Sequence, residues 1–117
     1  MELVAFLGND KESWGQISAL INRSKWDKVI IVKGKDTEDF PIGVSETIKV
    51  NADQSIILLK DEMMKKLKDK LAGDFEVALS IASGNGKEHM AIISALLSIP
   101  VGIRLVAYTK DGVEFIN

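Results

Sequence analysis

The sequence predicts an α/β domain on an open, mostly parallel sheet, and three observations carry that reading. Its apolar strand segments are continuous rather than alternating, as in residues 3–7, Leu-Val-Ala-Phe-Leu. Such runs suit strands covered on both faces. Segments of helical periodicity separate most of these runs, which favours parallel pairing through crossovers. The last two strand segments are joined only by a tight turn, so the final strand is expected to run antiparallel.

Residues 3–7 form the first strand and end at Gly8-Asn9-Asp10. Trp14, Ile17, Leu20 and Ile21 then recur at helical spacing, with Asp10 or Ser13 as candidate caps. Residues 28–32 are the second strand. A polar connection spans 34–46, and its length and polarity would allow a lid. Residues 47–50 form the third strand. Asn51 and Gln54 resemble a capping box for a helix that reaches about Leu71, with Ile56, Leu59, Met63, Leu67 and Leu71 on one face. Asp61/Lys65 and Glu62/Lys66 are favourably oriented i,i+4 pairs, and the lysines read as a solvated face. Gly73 is a candidate stop.

Residues 75–82 are the fourth strand, followed by Ser83-Gly84-Asn85-Gly86-Lys87 and a helix over 88–98. That helix is apolar almost all round, so it belongs in the core or in a subunit interface. Ile99-Pro100 ends it. Residues 103–108 and 113–116 are the last strands, with Asp111-Gly112 marking the turn. The whole is one Rossmann-like domain over residues 1–117. Its six strands take the order 3-2-1-4-5-6, the last antiparallel, with helices on both faces. Ligands of such sheets bind at the switch point, beyond the carboxyl ends of strands 1 and 4. Gly8-Asn9-Asp10 and the 83–87 loop meet there.

Composition bounds the function. With 117 residues, 46% hydrophobic and 27% charged, the chain can bury a full core. A net charge of −2 argues against long nucleic acid as partner. The absence of cysteine removes disulfides and thiolate metal sites and fits a cytoplasmic protein. The N-terminus lacks a signal-peptide pattern, and the apolar stretch 91–108 is interrupted by Pro100, Gly102 and Arg104, so no membrane span is expected.

The 83–87 loop opens a helix, where unpaired amides favour an anion; Lys87 adds a charge and Ser83 a hydroxyl. It is not a P-loop, because Ile81 and Glu88 stand where glycine and Ser/Thr are needed. It is not a dinucleotide fingerprint either, since His89 replaces the third glycine. A purely structural glycine turn is an open alternative. His89 reads as a surface or interface residue, and Glu88 as a partner of the helix dipole. Trp14 and Trp26 read as core or edge residues, and Asp36, Glu38 and Asp39 as a solvated loop rather than a metal site. No metal, cofactor or catalytic residue is assigned.

The stretch Val77-Ala-Leu-Ser-Ile-Ala-Ser-Gly-Asn-Gly-Lys-Glu-His-Met-Ala91, with the closing hairpin 102–116, resembles the CARF family, the Rossmann-like ligand-sensing domains of CRISPR-associated proteins. Asn85 and Gly86 stand where that family usually has Gly-Thr. The resemblance implies a homodimer around a shared pocket for a cyclic oligoadenylate. It places Ser83 at the small hydroxyl position, Lys87 on ligand phosphate, and Gly8 and Asn9 in the facing loop; Asp10, Gly84, Asn85 and Gly86 complete the candidate ligand site. A sensor is the first function expected. A metal-independent ring nuclease, with Lys87 stabilising charge, and a dimerisation domain without a ligand are the alternatives.

Overall fold

Burial explains why residues 3–7 are apolar at every position. In the computed structural model, which describes residues 1–41, 43–44 and 46–117, strand β1 (Glu2–Leu7) is buried along its whole length. Leu3, Ala5 and Leu7 face one side, where Ile17 and Leu20 of helix α1 (Trp14–Arg23) cover them. Val4 and Phe6 face the other side, against helices α2 (Ile56–Lys70) and α3 (Gly86–Ser98). A strand alternates its side chains between faces. With helices on both, Leu3 to Leu7 are all apolar; Glu2, buried at the start of the strand, accepts the Ala72 amide at 3.0 Å and lies 3.8 Å from Lys28.

β1 pairs in parallel with β2 (Lys28–Gly34) on one side and β4 (Glu76–Ser80) on the other. β2 pairs in parallel with β3 (Glu46–Val50), and β4 with β5 (Gly102–Thr109). β6 (Gly112–Phe115) lies antiparallel on β5. The order is β3-β2-β1-β4-β5-β6, as the sequence predicts. The closing turn is Lys110-Asp111, and Gly112, at φ +104°, already opens the last strand. Among the described residues, no helix is long and apolar enough to cross a membrane.

Helix starts depart from expectation. Neither Asp10 nor Ser13 caps through its side chain; a single 3-10 turn (Lys11–Ser13) leads into α1. The reason is competition, because the Asp10 carboxylate is taken by the loop after β4. α2 is capped by Ser55, whose hydroxyl accepts the Leu58 amide. Asn51 and Gln54 do not form a capping box; the Asn51 amide and the Gln54 carboxamide both donate to Glu62. α2 ends at Lys70, and Gly73, at φ +90°, turns the chain two residues past the cap. Glu62 pairs with Lys66 as expected, whereas Asp61 meets Lys60.

β4 is shorter than predicted. Phe75 is exposed before it, and Ile81 and Ala82 lie beyond it. α3 begins at Gly86, so Gly86 and Lys87 form its first turn rather than the end of a loop. Ala91, Ile92, Ala95 and Leu96 are buried against α2 and the sheet, whereas Met90 and Leu97 stay 64% and 65% exposed. The helix is therefore not sandwiched on all sides.

The connection from β2 to β3 contains no helix among its described residues. Phe40 and Val44 pack over β1 and β2 beside α1, with Phe40 stacked on Trp14 at 5.8 Å between ring centres. They cover the sheet where a crossover helix would otherwise lie. Ile42 and Ser45, part of the 34–46 connection whose length and polarity would allow a lid, lie outside the described residues.

Candidate functional site

The loops after β1 and β4 meet beyond the carboxyl ends of the central strands. Ser83, fully buried, joins them. Its hydroxyl accepts the Gly8 amide at 2.8 Å and donates to Asp10 Oδ1 at 2.7 Å. The Gly84 amide donates to the same carboxylate oxygen at 3.0 Å. Ser83 thus holds the two loops together with its one hydrogen and one of its lone pairs. The resemblance gives Ser83 a ligand contact; here the hydroxyl is occupied inside the protein.

The two glycines are needed for the same contact. A Cβ on Gly8 would lie 2.6 Å from the Gly84 Cα. A Cβ on Gly84 would lie 2.7 Å from the Phe6 ring, and its φ of +103° already favours glycine. Gly86 differs, because nothing lies within 4 Å of a Cβ there. Its glycine is not required by packing.

Burial works against the charged form of Asp10, but hydrogen bonds from Ser83, the Gly84 amide and Ser13 outweigh it and hold the carboxyl below its usual range. A depressed native pKa stabilises the fold above the ordinary carboxylate value of 3.8, and that contribution is lost as pH falls through the lower native value. Urea midpoints measured between pH 5 and about 2.5 are expected to fall more steeply for the native chain than for Asp10→Asn. Parallel curves would show that Asp10 is not the linked group.

At α3, Asn85 and Glu88 form a reciprocal capping box, each side chain accepting the other's amide at 2.9 Å. The amides of Gly86 and Lys87 are then without a protein partner at the positive end of the helix, among the described residues. His89 Nε2 lies 2.7 Å from the Ser83 carbonyl. A carbonyl only accepts, so Nε2 carries the proton and His89 braces the loop.

A cleft of about 400 Å³ opens beside this turn. Asn9, Asn85, Lys87 and Glu88 line one side; the turns after β2 and β3 line the other with Lys35, Asp36, Thr37, Asn51, Ala52 and Asp53. Lys87 spans the opening and donates to the Ala52 carbonyl at 2.9 Å. The Thr37 hydroxyl donates to Asn9 Oδ1 at 2.8 Å, and the Asn9 NH2 group has no partner among the described residues. A smaller adjoining recess of about 230 Å³ is lined by Asn9, Asp10, Gly84, Asn85 and Glu88.

The walls are tied down from behind. Lys33, only 2% exposed, donates to the Thr37 carbonyl at 2.8 Å and pairs with Asp39. That hydrogen bond holds the Asp39 carboxyl below its usual range. Glu62 is opposed by burial, but Lys66, the Asn51 amide and Gln54 keep its carboxyl low and anchor the 51–54 turn.

Of the predicted residues, Asn9, Asp10, Gly84, Asn85 and Lys87 reach these recesses, Gly8 and Ser83 lie buried behind them, and Gly86 is exposed in the first turn of α3. The two walls after β2 and β3 were not among the expected site residues. Trp14 and Trp26 donate to the Gly8 and Leu20 carbonyls, so both act within the fold. Glu38 pairs with Lys11, and no cluster of three metal-ligating side chains occurs among the described residues. No protein-family model matches the chain, and no curated protein sequence matches it.

Proposed function

We propose that the chain is a ligand-binding module of the CARF sensor kind, taking a ribonucleotide phosphodiester such as a cyclic oligoadenylate at the cleft beside α3. The carrying observation is Lys87. Its ammonium uses one donor on the Ala52 carbonyl and keeps two for a phosphate, next to two unpartnered helix amides. Asn9 and Asn85 add polar contacts on the same side. The exposed pair Met90 and Leu97, seven residues apart on α3, supports a homodimer through that helix.

The test is a panel of cyclic oligoadenylates, followed for both binding and cleavage, on the native chain and on Lys87→Ala. Binding without products is expected, weakened about tenfold in the variant by loss of a charge-assisted contact. Products that vanish in the variant would convert the sensor into a ring nuclease. No binding by either protein would leave a dimerisation domain, and a monomer on size-exclusion chromatography would remove the homodimer.

A further inference from the structure

The cleft is polar on every wall, and this bears on which part of a nucleotide it can read. Ala52 supplies the only apolar side chain among the described lining residues. No aromatic ring lines it; Trp14, Trp26 and Phe40 are all held within the fold. Proteins hold a base by stacking it on aromatic or apolar side chains. The described residues offer no such surface here.

What the cleft does offer is charged and polar groups spaced along the carboxyl edge of the sheet. Its α3 side presents Lys87, the Asn9 NH2 group and Glu88, whose carboxylate is engaged in the capping box. Its far side presents Lys35 and Asp36, just after β2, and Asp53, just after β3; neither aspartate carboxylate has a hydrogen-bond or ion-pair partner among the described residues. Neighbouring strands lie about 4.8 Å apart, so β2 is about 10 Å from β4. Two side chains and a sugar phosphate can bridge that span. A carboxylate only accepts hydrogen bonds, and the ribose 2′-hydroxyl is a donor that a mononucleotide and a cyclic oligoadenylate both carry. An acid shortly after the second strand contacts the ribose in dinucleotide-binding sheets by the same chemistry.

We infer that this cleft recognises the sugar and phosphate of a ribonucleotide, with Asp36 on the ribose 2′-hydroxyl, and leaves the base outside. The inference rests on the ligand-binding reading above and narrows its ligand class. It implies that a single chain discriminates ribose from deoxyribose and barely discriminates between bases.

The test uses AMP, UMP, deoxy-AMP and ribose 5-phosphate at millimolar concentration, with amide chemical-shift titrations of the native chain and of Asp36→Asn. Asp36 is exposed, so the variant is expected to fold. AMP, UMP and ribose 5-phosphate should bind within about threefold of one another, and deoxy-AMP about tenfold more weakly. Asp36→Asn should lower ribonucleotide affinity about tenfold and leave deoxy-AMP unchanged. A strong preference for AMP over UMP, or equal binding of AMP and deoxy-AMP, would overturn the inference while leaving phosphate binding intact. So would binding of a cyclic oligoadenylate with no binding of any mononucleotide. If neither class binds, the ligand-binding reading fails, and this inference with it.

Discussion

Gly8→Ala is expected to destabilise the fold by about 3 kcal/mol or more. The added methyl would sit 2.6 Å from the Gly84 Cα and 2.8 Å from its nitrogen, and both are backbone atoms. A flexible side chain could swing away, but a main chain on a buried loop cannot. Relief requires the loops to part, which breaks the Ser83 and Asp10 hydrogen bonds together. For a chain of this size the melting temperature should fall by roughly 10–15 °C. Gly86→Ala is the matched control, since its methyl meets nothing within 4 Å; thermal melts should place it within about 0.5 kcal/mol of the native chain. Equal melting temperatures for the two alanine variants would contradict the packing account.

Ser83→Ala is expected to cost about 2–3 kcal/mol. The substitution removes no bulk worth the name, so its effect is nearly all hydrogen bonding. It strands the Gly8 amide and takes one donor from the Asp10 carboxylate in a site with no solvent access at residue 83. Because Ser83 and Asp10 share a bond, Ser83→Ala and Asp10→Asn should combine less than additively in a double-mutant cycle. A hydroxyl that served only a ligand would leave denaturant stability untouched when removed. That result would return Ser83 to the ligand-contact role that the resemblance assigns.

These two residues also mark the border of what the sequence reveals. The strands were legible because two-sided burial forces continuous apolar runs, as in Leu3-Val4-Ala5-Phe6-Leu7. Their directions followed from the connections, a crossover or a tight turn, and their order from the Rossmann-like succession of strands and helices. Helix starts were harder, because Asp, Asn and Ser make the same hydrogen bonds to a nearby amide or to a distant one. Asp10 chose Ser83 and Gly84, more than seventy positions away, over its own helix. Asn51 and Gln54 mimicked a capping box but both engaged Glu62. Asn85-x-x-Glu88 carries the same signature and does form the box, so Glu88 is more than a partner of the helix dipole.

In the site, the switch-point rule located the β1 and β4 loops but not the walls contributed after β2 and β3. Lys35, Asp36 and Asp53 belong to ordinary polar turns, and only parallel pairing brings those turns beside α3. A carboxyl-edge reading of all four strands, rather than the central two, would have reached them. The glycines misled in another way. Gly8 and Gly84 suggested room for a ligand, whereas the missing side chain of Gly8 makes room for Gly84 and that of Gly84 for the Phe6 ring.

The Ser83 bridge has a kinetic consequence. It closes a span of 75 residues between Gly8 and Ser83, so it cannot form until β1 and β4 have found one another across the intervening chain. Pairings this distant in sequence pay their loop entropy late and slow the folding of a domain. The β1–α1–β2 unit can assemble from local contacts well before then. Competence to bind should therefore emerge only with the final folding phase, trailing the recovery of helical signal in a refolding experiment. A bound ligand, by stabilising a bridge made last, should slow unfolding more than it speeds refolding.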